Sequence, residues 1–496
     1  MTRPRTPALT LTLTVAAGAL SACGPKAPPQ PAAAVDYHAT MPDPLPPRPF
    51  QLPEPQRGTL SNGIPVVVVE NHEVPLVQVQ VALRPGDWTD PPDLAGLASV
   101  TMDMLNEGAG GMSAAELSSA ARRMGSSVWT GSSLDGASVG ASCLTDKLPG
   151  TLDLLATVML EPDFPDADWE LMRKKRLQAV QAARKDPNAI AGRVWNRLGY
   201  GDHYAGHLDN EAAYQAIDTE RMRAWYDAYV VPANAMIVVG GDTTLEEIQP
   251  LLEARFGSWN AEGQPLPELP SADSLPPQPE TTVFLVDKPE AAQSVLRVGR
   301  FAGTRLDPDY DAFQLGNMAI GGQFTARINM NLREDKSWTY GARSWLSDNY
   351  LPSRWQVGTS VFTPTTADAV SEIMRELDES LGTRPITQEE LDNSRGYLLG
   401  TWPLRFENPG ELLGGTVDIW RYGLPDDWIT GLPDRMRAVT LEQTRAAWAA
   451  HIDPTHLSIL VVGDAATVEE PLEALGYPVQ RLDVEGFPVE EDAPVP

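Results

Sequence analysis

The chain has 496 residues, with 38 Lys and Arg set against 67 Asp and Glu, for a formal net charge of −29. A field of that sign repels phosphate backbones and anionic headgroups, which excludes nucleic-acid binding and simple electrostatic adhesion to a membrane surface. The length suits two or three domains, and two cysteines cannot supply a disulfide framework.

The N-terminus reads as a processing signal. Arg3 and Arg5 precede an apolar run from Ala8 to Leu20 that is too short to span a bilayer comfortably. Leu20-Ser-Ala-Cys23 resembles a bacterial lipobox, which implies cleavage before Cys23, lipidation of its thiol and an anchored mature chain. Gly24 follows where sorted lipoproteins of the inner membrane carry Asp, so the expected address is the outer membrane of a bacterial envelope, facing the periplasm. Cys143 is then left without a cysteine partner and is expected in a strand as a small buried hydrophobe. Residues 24–57 are dense in proline from Pro25 to Pro55 and read as an extended tether.

Strands are expected over Ile64 to Glu70 and Val74 to Leu83, joined by a polar turn at Asn71-His72-Glu73. Leu94, Leu97, Thr101 and Leu105 share one face of a helix predicted to run from about Leu94 to Asn106. Ser113-Ala-Ala-Glu116 opens the next helix with a capping box, strand-like sequence spans Ser126 to Leu144, and long helices follow to about Tyr229. The proline-rich stretch 263–281 divides the body into a first domain, 58–262, and a second, 282–480, with an acidic tail over 481–496. Thr387-Gln-Glu-Glu390 and Thr440-Leu-Glu-Gln443 repeat the capping signal in the second domain.

The two domains repeat each other. Arg223 to Asp242 aligns without gaps on Arg445 to Asp464 at an offset of 222 residues, superposing Pro232 on Pro454 and one apolar strand on another. The expected fold is α+β: tandem duplicated domains, each a mixed sheet packed against helices on one side. In the second domain Gly321 to Ala342 holds Arg333 and Tyr340 seven residues apart, an arginine fork and a phenol suited to a substrate carbonyl or its oxyanion.

These features together resemble the family of pitrilysin, insulin-degrading enzyme and mitochondrial processing peptidase. The likeness covers nearly everything from Gly58 to about Gly476. It rests on Leu60-Ser-Asn-Gly63, Gly96-Leu-Ala98, Tyr229 with Pro232-Ala-Asn and Gly-Asp242, and above all on Gly321-Gly-Gln-Phe, Arg327, Asn-Leu-Arg-Glu334 and Thr-Tyr-Gly341. The resemblance implies a clamshell of tandem domains around a peptide. It also implies an inverted zinc motif, His-x-x-Glu-His, on the first helix, whose histidines bind zinc and whose Glu activates water.

Alignment on Gly96-Leu-Ala98 places Ser99, Met102 and Asp103 at the His, Glu and His positions, and puts the distal ligand near Ala179, where Gln178, Val180 and Gln181 offer no carboxylate. No zinc or other cofactor is therefore expected in this chain. Two other sets have ligand-like spacing: His203 with His207 in a segment that matches a family loop, and Asp103 with Glu107 on one helix face, which reads as solvated. Arg333 and Tyr340 do match the family's substrate-holding Arg and Tyr. Where many active relatives carry Asn-Ala on the substrate-pairing edge strand, Trp129-Thr130 stands.

The resulting expectation is a zinc-less, non-catalytic subunit of an envelope metallopeptidase. It would bind peptides or unfolded proteins and lend Arg333 and Tyr340 to a homologous His-x-x-Glu-His subunit that carries the zinc. The alternative is a non-enzymatic envelope scaffold or a chaperone-like peptide-binding protein of the same fold.

Overall fold

A computed structural model describes residues 52–269, 272–407 and 409–489. The expected signal, Cys23 and nearly all of the tether lie outside them. The first half contributes β1 (Gln56–Thr59), β2 (Pro65–Glu70), β3 (Leu76–Leu83), α1 (Leu97–Met104), α2 (Ala114–Met124), β4 (Ser127–Ser133), β5 (Gly136–Leu144), α3 (Leu148–Leu160), α4 (Asp166–Ala183), α5 (Pro187–Tyr200), α6 (Thr219–Tyr229), β6 (Ala235–Gly241) and α7 (Leu245–Phe256). The second contributes β7 (Thr282–Asp287), β8 (Gln293–Phe301), α8 (Tyr310–Asn317), β9 (Thr339–Ser347), β10 (Arg354–Phe362), α9 (Thr366–Leu381), α10 (Gln388–Thr401), α11 (Pro409–Tyr422), α12 (Leu441–His451), β11 (Ser458–Gly463), α13 (Ala465–Glu473) and β12 (Val479–Leu482).

Each half forms a six-stranded sheet, ordered β1-β2-β6-β3-β5-β4 in the first and β12-β7-β11-β8-β10-β9 in the second. The repeat is therefore structural. β2 and β6 pair in parallel, as do β7 and β11, and the pairs from β6 to β4 and from β11 to β9 are antiparallel. Only the opposite edge differs, with β1 antiparallel to β2 but β12 parallel to β7. The capping boxes at Ser113, Thr387 and Thr440 are all formed.

One expectation is corrected: the sheets do not have helices on one side only. Each sheet buries its outer face under helices of its own half and its inner face under a helix from the other half. Ile190, Ala191, Val194 and Trp195 of α5 pack on Phe284, Val286, Val295, Leu460 and Val462 of the second sheet. In return Leu412, Leu413 and Val417 of α11 pack on Val67, Val69, Ala82, Met236 and Val238 of the first. The sequence carries the physical reason. Val66–Val69 and Ala235–Val239 are unbroken apolar runs, the pattern of strands covered on both faces, and not the alternation of a half-solvated sheet. Locally, Asp186 starts α5 by accepting a hydrogen bond from the Ala189 amide at 2.8 Å, with Pro187 in the first turn.

The exchange draws further contacts across the halves. Asp135, in the β4–β5 turn, accepts hydrogen bonds from the Tyr350 amide at 2.8 Å and from the Tyr422 hydroxyl at 2.9 Å. Burial pushes its carboxyl up to about 6, against those two bonds and the charges of Arg421 and Arg305. Two expected boundaries also move. β1 begins at Gln56, inside the expected tether, and β12 runs past residue 480. Beyond it Leu482 bridges to Pro488, and Glu485 ion-pairs with Arg184 at 2.6 Å and Arg193 at 3.2 Å. The start of the expected acidic tail is thus part of the second sheet's edge and a tie to the first half.

Leu413 is nearly wholly buried against the sheet of the other half, so Leu413→Ala should cost about 2–4 kcal/mol in denaturant unfolding. Asp135 titrates higher in the folded than in the unfolded chain, so its protonated form favours the fold. Its contribution to stability is greatest below the usual 3.8 and is lost as pH rises to about 6. Relative to the parent chain, Asp135→Asn should gain roughly 2–3 kcal/mol in denaturant unfolding as pH is raised across that window.

Candidate functional site

Ser99, Met102 and Asp103, the positions expected to align with the zinc motif, lie on α1. Gly96 precedes the helix at φ 95°, in the left-handed region that suits glycine. The carboxylate of Asp90 then accepts from the amides of Gly96 at 2.8 Å and Ala98 at 2.9 Å, capping the helix from below. Burial and the neighbouring Asp87 charge nevertheless raise the Asp90 carboxyl well above the usual range, with the Ala98, Gly96 and Leu97 amides opposing.

Ser99 and Asp103 sit half-buried on one face of α1, while Met102 is 0% exposed and packs in the first half's core. The position that would hold a water-activating Glu is thus filled by a core methionine. Ala179, the expected distal-ligand position, is exposed on α4. The side chain that α4 turns toward the motif is Arg176, whose Nη2 donates to Asp103 and reaches Ser99 Oγ at 3.5 Å. Sequence reasoning missed Arg176, though the phase of α4 contains it. Trp169 and Val180 are the helix's buried anchors, and 176 falls on their stripe at helical spacing while 179 does not.

This donor set does not fit zinc. It offers a hydroxyl, a buried thioether and a carboxylate already paired with a guanidinium, whose positive charge opposes a cation at the same point. The other spacings do not converge either. The His203 ring lies against Tyr204, with centroids 4.4 Å apart, and His207 Nε2 is 2.8 Å from the Asp202 carbonyl. Among the described residues only Asp307, Asp309 and His451 bring three possible ligand atoms together. There Thr304 donates to both Asp307 oxygens at 2.8 Å, and His451 pairs with Asp309 at 3.1 Å and rests on Phe313.

Trp129 and Thr130 lie on β4, the edge strand of the first sheet. The Trp129 indole crosses Gly140 so closely that a Cβ there would be 2.3 Å from the ring, and Asn106 donates to Thr130 Oγ1 at 2.8 Å. Side chains of this edge are thus engaged from within the first half.

Arg333 and Tyr340 flank the start of β9, the edge of the second sheet. Arg333 belongs to a wide π-helical turn, Met330–Asp335, of a kind that often marks functional sites. Asn331 anchors that turn by donating to Glu372 and Glu376, both at 2.8 Å. Arg327 is structural: it forks onto Glu390 at 2.6 and 2.7 Å and donates to the Pro385 carbonyl at 3.1 Å.

On β9, Thr339 pairs with Val361 but Ala342 with Thr359, so one extra residue bulges the strand. A bulge re-aims side chains, and Tyr340 leaves the fold here, 85% exposed. Its hydroxyl has no hydrogen-bond partner among the described residues. The Arg333 side chain is 40% exposed, pairs with Glu334 at 3.3 Å and lies over the Phe324 ring at 4.6 Å.

A cavity of about 490 Å³ runs between the halves from the degenerate motif, with Ser99, Arg176, Asp87 and Asp209 on one side and Arg354 and Gln356 of β10 on the other. Burial raises the Asp87 carboxyl, opposed by the Ser132 hydroxyl that donates to it at 2.6 Å. Burial also pushes the Arg354 guanidinium down to about 9.

Comparison with known proteins agrees with this architecture. The family description "Insulinase (Peptidase family M16)" matches residues 65–207, and "Peptidase M16 inactive domain" matches residues 216–398. A Bacillus subtilis protein named "Uncharacterized zinc protease YmxG" is 25% identical over 360 residues, 71% of this chain and 85% of its own. A Helicobacter pylori "Non-peptidase homolog YmxG" is 22% identical over 408 residues, 81% of this chain and 92% of its own. The crystal structure of a peptidase M16 inactive domain from Pseudomonas fluorescens superposes with a TM-score of 0.77 at 22% identity, covering 83% of this chain and 98% of that one. The chain belongs to the insulinase (M16) peptidase family. Its two-domain architecture is that of the superposed M16 structure, and Ser99, Met102 and the Arg176-paired Asp103 form a donor set that does not fit zinc.

Asp103 is partly desolvated, and burial raises its carboxyl despite Arg176. Removing the cation makes the charged acid less favourable still. Arg176→Ala should therefore destabilise by about 1 kcal/mol at pH 8 and by less at pH 4, where Asp103 is protonated more readily. Denaturant titrations at the two pH values check the sign.

Proposed function

We propose that this chain is the metal-free subunit of a two-chain peptidase of the bacterial cell envelope, tethered through a lipid on Cys23. A homologous subunit bearing His-x-x-Glu-His holds the zinc and its water. This chain binds the peptide or unfolded protein and presents Arg333 and Tyr340 to the carbonyl under attack. The observation that carries the reading is Tyr340. A phenol 85% exposed on a bulged edge strand, with its donor unspent, contributes nothing to the packing of its own chain.

The division of labour is physically coherent. The partner polarises the carbonyl and supplies the nucleophile, while two donors held on a rigid turn and strand meet the developing oxyanion. The closed Arg176–Asp103 pair removes any competing metal site from this half of the complex.

Affinity isolation of the native protein, followed by zinc analysis and a peptide-cleavage assay, tests the reading. The isolated chain should hold no stoichiometric zinc and cleave nothing, whereas the complex should hold zinc and cleave peptide. Arg333→Ala and Tyr340→Phe should lower turnover by about 10–1,000-fold while the partner still copurifies. Full turnover in both variants would leave the scaffold alternative standing in its place.

A further inference from the structure

The duplication gives positions of the second sheet counterparts in the first, and one row of the inner face breaks the match. Arg297 of β8, Gly358 of β10 and Arg343 of β9 are direct partners across three strands. In the first sheet Gln80 of β3, Gly140 of β5 and Trp129 of β4 form the same row. The next strand fixes the equivalence. Gln80 pairs there with Val238 and Arg297 with Leu460, positions 222 residues apart like the rest of the repeat. Both rows have a glycine floor under an aromatic ring. A Cβ on Gly358 would stand 2.6 Å from Trp345 and 2.7 Å from Arg297, and one on Gly140 would collide with Trp129. The fold thus builds this row without charge in one half and with two cations in the other.

Neither cation is spent on an acid of its own chain. Direct cross-strand partners share a face, and Val295, two residues before Arg297, packs under α5, so the row lies on the inner face. The Arg343 side chain is exposed and has no hydrogen bond or ion pair among the described residues. Arg297 is half-buried, donates to the Leu296 carbonyl at 3.1 Å, and lies 5.7 Å from the Trp345 ring centroid. Burial lowers its pKa, and no carboxylate opposes that shift. In a chain with 67 acidic side chains against 38 basic ones, this row keeps two guanidinia free for an anion from outside.

The row lies close to the exposed phenol. Arg343 follows Tyr340 by three residues on β9, across the bulge, which sets them about 7–10 Å apart along the strand. An extended peptide covers that distance in two or three residues. Trp345, two residues further and 37% exposed, offers an apolar wall to the stem of a side chain laid across the row.

We propose that Arg297 and Arg343 form a subsite for a carboxylate side chain, Asp or Glu, two or three residues from the carbonyl that Tyr340 meets. Its place in substrate selection rests on the peptidase-subunit reading, to which it adds a substrate class: peptides with an acidic residue near the cleaved bond. The net negative charge of the chain holds anionic peptides off elsewhere, so the preference is local to this row.

Short Ala–Ser host peptides carrying one Glu, Gln or Lys test the subsite, by fluorescence anisotropy on the isolated full chain and by kcat/KM in the zinc-bearing complex. The Glu peptide should bind the isolated chain at least about fivefold more tightly than the Gln peptide, with Lys weakest. Walking Glu along the host should give the complex one preferred position, two or three residues from the bond cut. Arg343→Glu should reverse the order in both assays, with Lys favoured. Arg297→Gln installs the residue that the first half carries in this row, and should bring the Glu and Gln peptides to within about twofold of each other. Equal binding of the Glu and Gln peptides, no saturable binding of the Glu peptide, or an order that Arg343→Glu leaves unchanged overturns the proposal. Cleavage by the complex without a Glu preference also overturns it and leaves the peptidase-subunit reading standing. A Glu preference in the isolated chain, with no peptide cleaved by any complex, overturns that reading alone.

Discussion

The exchange of α5 and α11 is the constraint on which the rest of this molecule depends. Each sheet has central strands apolar on both faces, and the inner face of each is covered by a helix from the other half. Burial of those inner faces is what holds the two halves as one body, with the hydrophobic effect acting across the repeat and not only within it. Everything at the midline follows from that reciprocal covering: the Asp135 link to Tyr350 and Tyr422, the Glu485 ion pairs, and the cavity that α5 and β10 enclose.

The chemistry of the two ends divides along the same line. On the first half Met102 is taken up by the core and Asp103 by Arg176. On the second half the donors stay outside the structure. Arg333 stands on a π-helical turn and Tyr340 on a strand bulge, two local irregularities that regular packing does not favour.

Much of this was legible in the sequence because local rules agreed with the fold. The capping boxes, the strand runs and the repeat from Arg223 to Asp242 against Arg445 to Asp464 all rest on short-range pattern. What escaped was tertiary. The family resemblance put the distal ligand near Ala179, whereas the buried stripe of α4 through Trp169 and Val180 turns Arg176 toward α1. The helix exchange was written in the unbroken valines of β2, but an apolar run does not say which segment covers it. Arg354 beside Trp195 joins positions far apart in the chain, and no local signal marks either as half of a contact.

The exchange also imposes an order of events on the growing chain. The inner face of the first sheet is complete in sequence by β6, yet its cover, α11, follows more than 160 residues later. α5 likewise precedes the strands it must cover. The first half therefore cannot finish before the second, and domain-by-domain folding from the N-terminus is denied to this protein. Until α11 arrives, Val67, Val69 and Val238 form an open apolar surface with a strand edge beside it, the species most prone to association. A chain wired in this way is better served by folding after it is whole than while it is being made.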